Sequence, residues 1–88
     1  MVTFHIAPFP KNTDVQAIRK RIGHRITVRR VELDLQQKEL GAQLGVPQSQ
    51  ISEWEIGRRA LRIEQAMEIA TALQTTVGYF VGENERRN

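Results

Sequence analysis

The nineteen residues from Gln37 to Glu55 constrain this chain more than any other stretch of it. Leu40 and Leu44 lie one helical turn apart, Gly45 follows as a residue that turns sharply, and Pro47 stands where a helix can begin but cannot continue. The spacing predicts a short helix over Gln37 to Leu44, a turn made of Gly45, Val46 and Pro47, and a second helix from Pro47 to about Trp54. A turn that short does not let the helices run antiparallel, so they must cross at a steep angle. Leu40, Leu44, Val46, Ile51 and Trp54 then close a small core between them. Gly41 falls at the closest backbone approach, where a side chain larger than Ala is expected to clash.

The flanking sequence supplies the rest of an all-α domain. Thr13 or Asp14 caps a helix whose apolar residues Val15, Ile18, Ile22 and Ile26 follow helical spacing, and which should end near Asp34. Ile63, Ala66, Met67, Ala70 and Leu73 mark a fourth helix, and Val77, Tyr79, Phe80 and Val81 a short fifth before Gly82. Residues 14–82 form the expected domain, with a polar tail over 83–88 and an extended segment over 1–13. In that segment Val2, Phe4 and Ile6 alternate with Thr3 and His5 in the period of a strand. It reads either as a frayed tail or as a strand pairing with its copy in a dimer.

Eighty-eight residues, 40% of them hydrophobic, suffice for one compact unit and not for two. With no cysteine there is no disulfide framework, thiolate metal site or thiol nucleophile. His5 and His24 sit in different elements without a metal-spaced neighbour, no serine stands in a hydrolase elbow, and the glycines form no phosphate loop. No enzymatic activity, metal or cofactor is therefore expected. The N-terminus lacks a secretory h-region and no stretch reaches membrane-spanning length, so the expected place is the cytoplasm, on the nucleoid. Charge is segregated. Up to Val31 seven basic residues, from Lys11 to Arg30, face Asp14 alone; Lys38 then stands among Glu32, Asp34, Glu39, Glu53 and Glu55; Arg58, Arg59 and Arg62 follow. Two basic clusters around an acidic stretch fit either a polyanion partner or solvated helix faces.

The run QQKELGAQLGVPQSQISEWEIGRR resembles the helix-turn-helix of the Cro and lambda-repressor-like (XRE) family of bacterial and phage regulators. The likeness extends over roughly Ile22 to Gly82 and takes in Arg30, Leu35, Gln37, Glu39, Leu40, Leu44, Gly45, Ile51, Glu55, Gly57, Ala70 and Leu73. It implies a five-helix lambda-repressor-like domain whose third helix enters the major groove of duplex DNA. The residues of that helix not needed for the core, Gln48, Ser49, Ser52 and Glu53, are hydrogen-bonding groups suited to base edges. Gln50 lies nearer the flank, where a phosphate contact and partial burial are equally open. The resemblance implies that Gln37 holds a phosphate at the start of the second helix, and the loop arginines Arg58 and Arg59 make a natural second clamp. It further implies a semi-buried salt bridge between Arg30 and Glu55, of structural importance.

Some positions depart from the family's pattern. Gln36 stands where a capping Thr or Ser is usual, Asp34 where Gly is common, and Leu61 and Arg62 where Pro and a capping Ser often begin the fourth helix. Each weakens a cap by about 1 kcal/mol. Val28, Val31, Tyr79 and Phe80 are candidates for an interface, with core packing the stronger expectation for Phe80. The function expected is transcriptional regulation, as a homodimeric repressor on a two-fold symmetric operator. The alternative is an antitoxin or adaptor that uses the same fold to hold a protein partner such as a toxin or co-regulator.

Overall fold

In the computed structural model, which describes residues 14–82, the helices are α1 (Val15–Glu32), α2 (Gln37–Leu44), α3 (Gln48–Glu55), α4 (Ile63–Ala72) and α5 (Val77–Val81), with no strand among the described residues. The expected extended segment 1–13 and tail 83–88 lie outside the described residues. α1 begins because Asp14 Oδ1 accepts the otherwise orphaned amide of Gln16 at 3.0 Å, and its anionic charge meets the positive end of the helix dipole. It ends where Asp34 takes a left-handed conformation, φ 60°, which is why Gly is common at this point of the family.

Apolar side chains from every helix meet in one core: Ile26 of α1, Leu40 of α2, Ile51 and Trp54 of α3, Ile69 and Ala70 of α4 followed by Leu73, and Phe80 of α5. Phe80 thus takes its core role. Tyr79 and Val28 are half-buried and Val31 is exposed. The inward face of α4 departs from expectation. Ile63 and Met67 are exposed, and Ile69 takes their place. Ala66, Ile69, Ala70 and Leu73 make a continuous stripe at helical spacing, and Met67 lies well round the cylinder from its centre; the buried face is rotated toward Ile69. Val15 and Ile18, in the first turns of α1, are likewise exposed.

Pro47 precedes α3 instead of opening it, with an extended ψ of 154°, while its carbonyl accepts the amide of Gln50 at 3.0 Å. The missing N–H of proline costs nothing there. The two unconventional caps are each backed by the third helical residue. Glu39 Oε1 accepts the Gln36 amide at 2.8 Å, and Gln65 Oε1 accepts the Arg62 amide at 3.0 Å, so part of the stability lost with a Ser or Thr cap is restored from within the helix.

Three arginines of the basic first helix are spent on holding the fold. Arg29 donates from Nε to the Leu73 carbonyl at 2.8 Å and from Nη2 to the Gln74 carbonyl at 3.2 Å, closing the C-terminal end of α4. Arg25 donates to the Tyr79 carbonyl at 3.2 Å and lies 5.2 Å from the centre of the Tyr79 ring. Arg30 is committed to Glu55.

Candidate nucleic-acid interface

The α2–α3 crossing is fixed by two glycines. Gly45 ends α2 in the left-handed region, φ 73°, and a Cβ on Gly41 would lie 2.7 Å from the Val46 carbonyl oxygen. That limit is tighter than the sequence implies: Ala itself collides. A third glycine, Gly23, escaped the reading of the sequence. Its Cβ would fall 2.3 Å from the Trp54 carbonyl oxygen and 2.4 Å from that of Glu55, so α1 crosses the end of α3 backbone to backbone. The available signal was an isolated glycine in the middle of an otherwise helical pattern.

This crossing buries Ile51, Trp54 and Glu55 of α3 and turns the opposite side outward. Gln48 and Ser49 are exposed there, and Ser52, Glu53 and Gln50 are half-exposed. Ile56, 54% exposed just past the helix end and four residues after Ser52, extends the same face and was not singled out from the sequence.

Behind that face runs a chain of hydrogen bonds. Arg30 Nε donates to Glu55 Oε2 at 2.7 Å and Nη2 to Oε1 at 3.1 Å, while Nη1 donates to the Leu35 carbonyl at 2.7 Å. The two side chains are only 12% and 5% exposed. Gln37 Nε2 donates to the same Glu55 Oε1 at 2.9 Å, and Gln48 Nε2 donates to Gln37 Oε1 at 3.2 Å. The first residue of α3 is therefore anchored, through the first residue of α2, to an ion pair in the interior. Gln37 keeps one amide hydrogen for an external acceptor.

Arg58 and Arg59 behave differently. Arg59 forms an ion pair with Glu53 at 2.8 Å, which brings together a residue expected on bases and one expected on phosphate. Arg58 makes no side-chain bond to a described residue. The loop bearing both is pinned: the Arg58 and Arg59 amides donate to the Glu53 carbonyl at 2.8 and 3.3 Å, the Trp54 indole N–H to the Ala60 carbonyl at 3.2 Å, and Gln16 Nε2 to the Gly57 carbonyl at 3.0 Å. Among the described residues no three His, Asp or Glu side chains gather as a metal site, and no helix is long and apolar enough to cross a membrane.

Two short helices crossing over a tight turn, with the second presenting a polar face from a rigid base, define a helix-turn-helix protein of the DNA-binding type. The chain belongs to the helix-turn-helix family of Cro- and lambda-repressor-like regulators, whose model, described as Helix-turn-helix, matches residues 27–80. Among curated proteins it is 35% identical over 65 residues to an uncharacterized transcriptional regulator in the ATPase CF(0) region of Rhodospirillum rubrum. That match takes in 74% of this chain, which spans 60% of the relative's length. Among solved structures it is similar to the P22 c2 repressor in complex with a synthetic operator, at 33% identity and TM-score 0.64, covering 68% of this chain and 91% of that one. It is also similar to the restriction-modification controller protein C.AhdI of Aeromonas hydrophila, at 25% identity and TM-score 0.71, covering 76% and 97%. The same fold occurs within HppE, crystallised with its substrate, at 23% identity and TM-score 0.69, where this chain corresponds to 37% of that one. The chain is a helix-turn-helix domain of the DNA-binding type.

Proposed function

We infer that this chain represses transcription as a homodimer on a two-fold symmetric operator, with Gln48, Ser49, Ser52 and Glu53 meeting base edges in the major groove. The observation that carries the reading is the polar outer face of α3, with Gln48 held by Gln37 at 3.2 Å. Gln can contact adenine through two bonds, and a preset amide loses less freedom on doing so. Phosphate contacts fall to the remaining amide hydrogen of Gln37, to the start of α2 with its partial positive charge, to Arg58, and to Gln50 on the helix flank. The Arg30–Glu55 pair serves the fold, holding α1 to the end of α3.

A single domain of this size offers few base contacts, and two copies one helical turn of DNA apart multiply selectivity. Repression is supported by the likeness to the P22 c2 repressor, which is seen on a synthetic operator. We read the chain as a binding protein and not an enzyme, because its family is one of regulators and the likeness to HppE, at 23% identity, is one of fold. Its setting would be the cytoplasm, on the nucleoid.

The test is a titration of labelled random duplex across salt concentrations, followed by selection of bound sequences and sedimentation of the complex. Binding that weakens steeply with salt, a two-fold symmetric selected site and a complex of two chains per duplex are expected. Absence of binding at low salt would overturn the reading.

A further inference from the structure

Glu53 and Arg59 hold one another at the edge of the reading face. Arg59 brings Nε and Nη2 to a single carboxylate oxygen, Oε1, each at 2.8 Å. The other oxygen, Oε2, accepts no hydrogen bond from a described residue. The pair stands at the surface, with side chains 48% exposed for Arg59 and 38% for Glu53, and Glu53 follows Ser49 by one helical turn on the same face.

A bare carboxylate on a helix facing a phosphate-lined groove is repelled by the phosphates. A guanidinium fixed on Oε1 offsets that charge and limits rotation of the carboxylate, leaving Oε2 as one oriented acceptor. The major-groove group that an acceptor fits best is the cytosine N4 amine; the adenine amine lies beside the N7 acceptor, which a carboxylate avoids. Arg59 reaches Glu53 from a loop whose backbone is pinned at Gly57, Ala60 and Glu53 itself, so it does not depend on a free chain folding back.

Resting on the DNA-binding reading above, we propose that Arg59 is a positioning residue for base recognition: it sets Glu53 to accept from a cytosine amine, and Arg58 alone supplies the phosphate contact of this loop.

The test is selection of bound duplexes from random DNA by the full chain and by Glu53→Gln, Arg59→Gln and the double variant, with affinities then measured on the selected site and its single-base changes. Circular dichroism of each variant establishes that it is folded, as the exposure of both side chains leads one to expect. The unaltered chain should prefer cytosine at one position by ~10-fold. Either single variant should abolish that preference, and the double variant should lose nothing more at that position. A cytosine preference that survives Arg59→Gln overturns the proposal. So does a uniform loss of affinity across all duplexes that is the same with and without Glu53→Gln, the mark of a phosphate clamp. If the unaltered chain binds duplex but shows no Glu53-dependent cytosine, only this assignment fails; if it binds no duplex at low salt, the DNA-binding reading fails with it.

Discussion

Arg30 grips Glu55 through two bonds, 2.7 and 3.1 Å long, at a place almost closed to water. The pair joins the last turn of α1 to the last residue of α3, and Glu55 still has an oxygen to share with Gln37. Fold and reading face are thereby coupled through one carboxylate.

Arg30→Met leaves that carboxylate buried without its cation. The expected cost is about 3 kcal/mol, in the range for breaking one side of a buried pair. Glu55→Met combined with Arg30→Met should recover much of it, since no unpaired charge remains. Urea denaturation of the two variants checks this, and an equal loss in both would show that packing, not charge, sets the cost.

Gly23→Ala places a methyl group 2.3 Å from a backbone oxygen that cannot swing aside. A loss of about 3 kcal/mol follows, at the upper end of ordinary overpacking. Gly41→Ala, with its approach of 2.7 Å, should lose less. Elsewhere in a helix the same change stabilises, so the sign of the shift in thermal midpoint is the readout.

Among the described residues two non-glycines occupy the left-handed region, Asp34 at φ 60° and Gln74 at φ 58°. Gln74→Gly should raise stability by about 1 kcal/mol, or the melting temperature by roughly 5 °C for a domain of this size. Asp34→Gly should gain less, because Asp tolerates this conformation better than Gln does. Calorimetry that ranked the two in the opposite order would count against this account.

Gln48→Ala and Gln37→Ala separate recognition from support. The first removes an exposed donor and should leave the unfolding free energy within about 0.5 kcal/mol of its starting value while lowering selectivity for the chosen site. Gln37→Ala removes a bond to buried Glu55 as well, so it should cost about 1 kcal/mol of stability in addition to selectivity. A double-mutant cycle on the selected duplex should show that the two losses are not additive, because the residues touch.

Local chemistry made much of this protein legible in its sequence. The bounds of α2, the left-handed turn at Gly45, a cap at Thr13 or Asp14 and the core positions Leu40, Ile51 and Trp54 depend on residues within a turn or two of each other, where spacing and steric preference decide. The tertiary structure decided what depends on distant partners. Ile69, and not Met67, faces inward because the angle at which α4 meets the core selects between two apolar stripes on the same helix. Gly23 is confined to glycine's size because α3 crosses α1 there, and Arg25 and Arg29 bond to backbone carbonyls of α5 and at the end of α4 because those helices pack beneath them. Glu53 and Arg59 meet because the loop after α3 folds back on the helix it leaves. A sequence specifies which surfaces a helix offers; only the packing of the helices determines which of them are met, and by what.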